Sequence, residues 1–90
     1  MSIKVRIPPI LQDVTGGRDI VEVSASNFRE CLDKLEVQFP GIKAQVYDKQ
    51  GNVGCTFDIY VNEESAYPNE LSKPLKDGDV ISITMLCVGG

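Results

Sequence analysis

Ile3, Val5 and Ile7 alternate with Lys4 and Arg6, the two-residue period of a strand with one wet face. Pro8-Pro9 ends that run, because proline has no amide hydrogen to give to a ladder. After the turn signal Thr15-Gly16-Gly17, Asp19 to Ser24 alternates again, with Val21 and Val23 on one side. The two strands lie near each other in sequence, so a hairpin is expected, with a connecting loop of roughly ten residues rather than a tight turn.

Phe28, Cys31, Leu32, Leu35 and Phe39 follow at helical spacing and fall on one stripe. Ser26 or Asn27 can cap this helix, and Asn27 with Glu30 has the spacing of a capping box. Glu30 and Lys34 stand one turn apart on the wet side as an expected ion pair. Pro40-Gly41 stops the helix. Ile42 to Tyr47 predicts a short helical turn, and Asp48 to Gly54 a polar loop.

Phe57, Ile59 and Val61 alternate with Asp58, Tyr60 and Asn62, which predicts a third long strand. Glu63 to Asp79 is polar and broken by Pro68, Pro74 and Gly78, so it reads as loop with room for a short strand. Lys76-Asp77-Gly78-Asp79 is a turn signal. Val80 to Leu86 forms the last strand, with Ile81, Ile83 and Met85 on one face and Ser82, Thr84 and Leu86 on the other. The order β-β-α-β-β predicts an α+β fold: a mixed sheet of about four to five strands with one main helix packed on one face. The first and last strands are the most hydrophobic and are expected to pair in the middle of the sheet.

With 90 residues the chain has room for one domain. Its 42 % hydrophobic and 24 % charged residues suit a folded globular chain rather than a disordered one. It has no apolar run of membrane-spanning length and no leader-like start, so a cytoplasmic location without membrane attachment is expected. The net charge of −4 argues against a nucleic-acid partner, which would call for clustered Lys and Arg. The chain has no histidine, and so lacks the commonest general base and the commonest metal ligand.

The candidate chemistry is correspondingly narrow. Glu63-Glu64 and Asp77-Gly78-Asp79 lack the other ligands of a calcium loop and read as turn and solvated surface. Cys31, Cys55 and Cys87 are widely spaced, with no C-x-x-C pair, and read as reduced thiols without a metal. Cys31 lies on the apolar helix stripe and belongs to the core. Cys55 has no partner signal. Cys87 could act as a thiol relay near the end of the chain, although no neighbouring Lys, Arg or His is present to lower its pKa.

The end itself, Cys87-Val88-Gly89-Gly90, has two readings. Two glycines after a core strand can be an incidental loose tip. They can also be a working tail: lacking Cβ atoms, they pass through a channel too narrow for side chains. The residues after Thr84 reach about 20 Å when extended. That would place the Gly90 carboxylate inside another protein's active site while the folded body stays outside.

At this point the chain resembles a known family, the ubiquitin-like sulfur carriers (the MoaD/ThiS group). This group includes the small subunit of molybdopterin synthase and the thiamine-pathway carrier. The residues that carry the resemblance run in order along nearly the whole chain. They are Val5-Arg6-Ile7-Pro8-Pro9-Ile10-Leu11, Thr15-Gly16-Gly17, Val23-Ser24-Ala25-Ser26, Pro40-Gly41-Ile42, Ile59-Tyr60-Val61-Asn62-Glu63-Glu64, Leu75-Lys76-Asp77-Gly78-Asp79-Val80 and Gly89-Gly90. The Thr-Gly-Gly turn and the Ile-Tyr-Val-Asn segment are most similar to the branch that delivers sulfur for cysteine synthesis.

The resemblance implies a β-grasp (ubiquitin-like) fold, with residues 1–90 as a single sulfur-carrier domain and 86–90 as a flexible C-terminal tail. It implies that the carrier is no enzyme and binds no cofactor. A ubiquitin-activating-like adenylyltransferase would recognise Val88 and Gly89 and use ATP to adenylate Gly90. A sulfur donor would then displace AMP and leave a thiocarboxylate. The acceptor would be a cysteine-synthase-like enzyme or the large subunit of molybdopterin synthase. Cys87 departs from the family, whose members often carry proline or another non-thiol residue there.

Three other readings stay open: a stable molybdopterin synthase subunit, a protein modifier joined to lysines through Gly90, and a plain interaction module. A two-iron β-grasp ferredoxin would need four closely placed cysteines and is excluded. The expected partner surface is Tyr60, on the strand face opposite Phe57, Ile59 and Val61, joined by Leu86 at the root of the tail.

Overall fold

In the computed structural model of the chain, residues 2–51, 53, 57–67 and 69–85 are described. The strands are β1 (Ser2–Arg6), β2 (Ile20–Ser24), β3 (Phe57–Val61), β4 (Glu64–Ser65) and β5 (Val80–Met85), with helices α1 (Phe28–Gln38) and α2 (Ile42–Val46). They form a five-stranded mixed sheet in the order β2-β1-β5-β3-β4. β1 and β5 run parallel, with Val5 opposite Ile81, and every other pair is antiparallel. The first and last strands therefore meet in the middle of the sheet, as their hydrophobic patterns predict, and the fold is the expected β-grasp.

The strand alternation translates directly into burial. Ile3 and Val5 of β1, Val21 and Val23 of β2, Ile59 of β3, and Ile81 and Ile83 of β5 are all buried, while the residues between them face outward. Against this side lies α1, with Phe28, Cys31, Leu32 and Leu35 buried. Phe39, the last member of the stripe, is only partly buried. Asn27 caps the helix, its side-chain oxygen accepting the Glu30 amide at 2.8 Å. The Glu30 carboxylate turns back to accept the Ser26 amide at 2.9 Å. It is this backbone contact, and not the expected pair with Lys34, that Glu30 makes. A carboxylate at a helix start gains more from unsatisfied amides and the positive end of the helix dipole than from an exposed ammonium.

The connection from β1 to β2 spans residues 7–19 and contains a 3-10 turn at Pro9–Leu11. It is more ordered than the plain loop expected. Thr15 is buried there and donates its hydroxyl to the Arg18 carbonyl at 2.9 Å. Gly16 and Gly17 follow at φ +69° and +89°, angles that side-chain-bearing residues rarely adopt. The Thr-Gly-Gly signal is thus the closure of this loop.

Three further ties were beyond reach of periodicity. Glu36 accepts the Gly41 and Lys43 amides at 3.0 Å each, and Lys43 donates to Asp33 at 2.6 Å, so α2 hangs from α1 by carboxylates. The polar stretch after β4 folds over the helix start: Ala66, Leu71 and Leu75 are buried and the Leu75 amide donates to the Ser26 carbonyl at 2.9 Å.

The acidic turn is the third tie. Asp79 accepts the Lys76 amide and the Asn62 side-chain amide at 2.8 Å each, and Asp77 accepts the Ser2 amide at 2.7 Å. Asn62 also exchanges bonds with the Val80 backbone at 2.8 and 2.9 Å. As expected, these acids serve a turn, and in doing so they lock β1, β3 and β5 together at one end.

Two stability tests follow. Leu32→Ala removes buried methyl groups from under the sheet and is expected to cost about 2–5 kcal/mol in urea unfolding. The Asp79 carboxyl is held below its ordinary 3.8 by the Lys76 amide and the Asn62 side chain, and Glu36 below its ordinary 4.5 by the Gly41 and Lys43 amides. Folded values below unfolded ones mean stability that is present above about pH 4.5 and lost as pH falls through the folded values. The urea midpoint should therefore drop on acidification from pH 6 to pH 3. Glu36→Gln and Asp79→Asn should each flatten that drop, and an unchanged slope would mean that other carboxylates govern it.

Candidate functional site

Because α1 covers only one side of the sheet, the outward-facing positions of the strands form an open face. Strand register places Ile20, Arg6, Ser82, Tyr60 and Ser65 in one row across all five strands. In the next row Lys4 stands beside Glu22 and Val80. Tyr60 is half-buried on this face, on the side opposite buried Phe57, Ile59 and Val61, where the alternation predicts it. The Asp58 carboxylate, two residues away on the same face, raises the phenol pKa above its ordinary 10.0. Tyr60 is therefore a neutral aromatic at any ordinary pH.

Adjoining the row is a groove of about 470 Å³. The Pro8-Pro9-Ile10 corner forms one wall and residues 82–85 of β5 the other, with Arg6 and Ile7 between them. Its lining is mostly apolar, and Ile10 and Met85 are 50 % and 45 % exposed. Met85 shares the parity of Ile81 and Ile83 and was expected on their buried face. At the end of β5 it instead opens onto the groove. These two exposed apolar residues, together with Arg6, are what the sequence reasoning missed. Ile10 directly after two prolines was the available signal, because a residue there cannot continue a buried strand.

β5 delivers the chain at Met85, so the tail starts beside this groove. The expected tail residues Leu86, Val88, Gly89 and Gly90, with Cys87 and Cys55, lie outside the described residues. Cys31 is fully buried, and burial pushes its thiol up to about 12. A thiolate is the reactive form, so Cys31 is a core residue and no sulfur relay. Among the described residues no group of His, Cys, Asp or Glu could hold a metal ion, and no helix is long and apolar enough to cross a membrane.

The chain that folds this way has its counterpart in a family model. The model of the ThiS family matches residues 5–90. The chain belongs to the ThiS family. Solved structures agree with this assignment. A chain of the BexX/CysO complex of Amycolatopsis orientalis is 32 % identical, over 98 % of this chain and 99 % of that one, with a TM-score of 0.88. CysO of Mycobacterium tuberculosis, described as an antigen, is 30 % identical, over 92 % and 97 %, with a TM-score of 0.87. A chain from the complex of subunits 1 and 2 of the molybdopterin-converting factor of Helicobacter pylori is 27 % identical over both full lengths, with a TM-score of 0.59. No curated protein sequence matches the chain. ThiS family membership makes this a small ubiquitin-like protein of the sulfur-carrier type. Two of these relatives come from complexes with a partner protein.

The burial of Cys31 has a direct consequence. In a Cys55→Ala/Cys87→Ala variant, which leaves Cys31 as its single thiol, a thiol reagent at pH 8 should react slowly in the native state and quickly in urea. Fast native reaction would place Cys31 outside the core.

Proposed function

We propose that the chain carries sulfur for cysteine synthesis as a thiocarboxylate on Gly90. The observation that carries this reading is the identity of about one residue in three to two CysO proteins along almost the whole chain. The expected chemistry needs nothing that the sequence lacks. An oxygen of the Gly90 carboxylate attacks the α-phosphorus of ATP in an adenylyltransferase, and pyrophosphate leaves. A sulfur nucleophile then attacks the acyl carbon, and AMP departs with the oxygen it had activated. Gly89 and Val88 thread the tail into that enzyme, and a cysteine-synthase-like acceptor takes the sulfur. Catalytic groups reside in the partners, which suits a chain without histidine.

Tyr60 and the groove beside it are read as the surface that partners grip while the tail is inserted. An aromatic with little to lose in side-chain entropy is a good anchor for such contact. A second reading, as the small subunit of a molybdopterin synthase, draws support from the full-length match to the Helicobacter complex.

Incubation with an adenylyltransferase, ATP and a sulfur donor should give a mass gain equal to one sulfur-for-oxygen exchange, located at Gly90. Deleting Gly90 should abolish it, because the new carboxylate retreats by about 3.5 Å from a reaction that needs its atoms about 3–3.5 Å apart. Gly89→Leu should block it with the fold intact, whereas replacing Cys31, Cys55 and Cys87 by alanine should leave it. Loss of sulfur with Cys87→Ala and retention without Gly90 would move the chemistry to the thiol. Tyr60→Ala should weaken adenylyltransferase binding without unfolding the domain. Isopeptide adducts through Gly90 would identify a modifier, and a stable complex with a molybdopterin synthase large subunit would identify the second reading.

A further inference from the structure

Arg6 occupies an unusual place for a cation. It lies on an interior strand, at the centre of the open face, with Ile20 on one side and Ser82 on the other. Lys4, two residues earlier on the same face, stands opposite Glu22, so its charge has a counterpart in register. Arg6 has none: among the described residues its guanidinium makes no ion pair and no hydrogen bond. Asp58 and Glu22 share this face, and neither forms an ion pair with Arg6. Arg6 also lines two depressions at once, the apolar groove by Ile10 and Met85 and a smaller one by Asn62, Glu63 and Val80. With a net charge of −4, cations are the minority on this chain, and Arg6 puts one beside the apolar groove.

We propose that Arg6 is a specificity-determining residue of the partner surface. It takes a carboxylate of the activating enzyme while an apolar side chain of the same enzyme segment enters the groove between Ile10 and Met85. This deepens the carrier reading and rests on it. The activating enzyme is the occupant because carrier, synthase subunit and modifier all need the tail carboxylate activated first. That enzyme must cover the root of the tail, where the groove lies. The chemistry is complementary on both counts. A guanidinium presents donors in a fixed fork that fits a carboxylate bidentately. Docking over the groove removes water from this pair and strengthens it.

The test uses the full chain and the ATP-dependent adenylyltransferase that activates it, with Kd measured by calorimetry at two salt concentrations. Arg6 is exposed and, among the described residues, its side chain makes no hydrogen bond or ion pair, and amide spectra confirm the fold of each variant. Arg6→Glu should raise Kd about tenfold or more, by setting like charges opposite each other. Arg6→Lys should recover part of the loss, since it keeps the charge without the fork. Ile10→Asp should weaken binding as well, and the wild-type Kd should rise with salt more steeply than that of Arg6→Ala. If the enzyme binds and activates the wild type while Arg6→Glu binds within twofold of it, the proposal is overturned and the carrier reading stands. If the enzyme neither binds nor activates the wild type, the carrier reading falls and takes this proposal with it.

Discussion

Everything about this molecule depends on the parallel pairing of its first and last strands. β1 and β5 lie side by side in the middle of the sheet, with Val5 against Ile81. Parallel neighbours need a long crossover, and nearly the whole chain supplies it. α1, α2, β3 and β4 are all strung between the two central strands. One geometric result is functional: the end of β5 comes out next to the corner where β1 turns away at Pro8-Pro9. The groove exists because two chain segments some seventy residues apart are forced together there.

The second constraint is that there is one main helix. A two-layer domain buries one side of its sheet and leaves the other wet. In a chain of this size that leaves a thin core, and the core is closed by polar clamps as much as by apolar contact. Glu36 holds the α1–α2 corner, Asp79 and Asn62 hold the β3–β5 end, and Thr15 closes the first loop. Asp77 and Asp79 are spent on the turn, as their place in the sequence suggested. The strain is local as well. Asn62 and Glu63 both adopt positive φ, at +50° and +72°, to make the tight turn between β3 and β4, although only Asn is at ease there.

A working surface without its own catalytic groups fits a carrier. The described face offers an aromatic kept neutral by its Asp58 neighbour, an unpaired guanidinium and an apolar groove. These are means of being held. None of them can activate a carboxylate, and the thiol within the core is locked in its unreactive form by burial.

The local patterns were legible in the sequence because each depends on neighbours within a few residues. The alternation in β1, β3 and β5, the stripe of α1 and its Asn27 cap are cases of one element burying one side. The same logic placed Tyr60 on the wet face and Cys31 in the core. Elsewhere a local rule gave the wrong partner: Glu30 and Lys34 have ideal spacing, but the Glu30 carboxylate accepts the Ser26 amide at the helix start. What tertiary structure alone decided is which residues become neighbours across long stretches of chain. Arg6 beside Ser82, Ile10 facing Met85 and Leu75 bonded to Ser26 follow from strand order and register, and the spacing of residues along the sequence carries no record of either. The composition could say that the chain lacks histidine, the commonest general base. Only the pairing of its two ends could say that Arg6, Ile10 and Met85 line one groove.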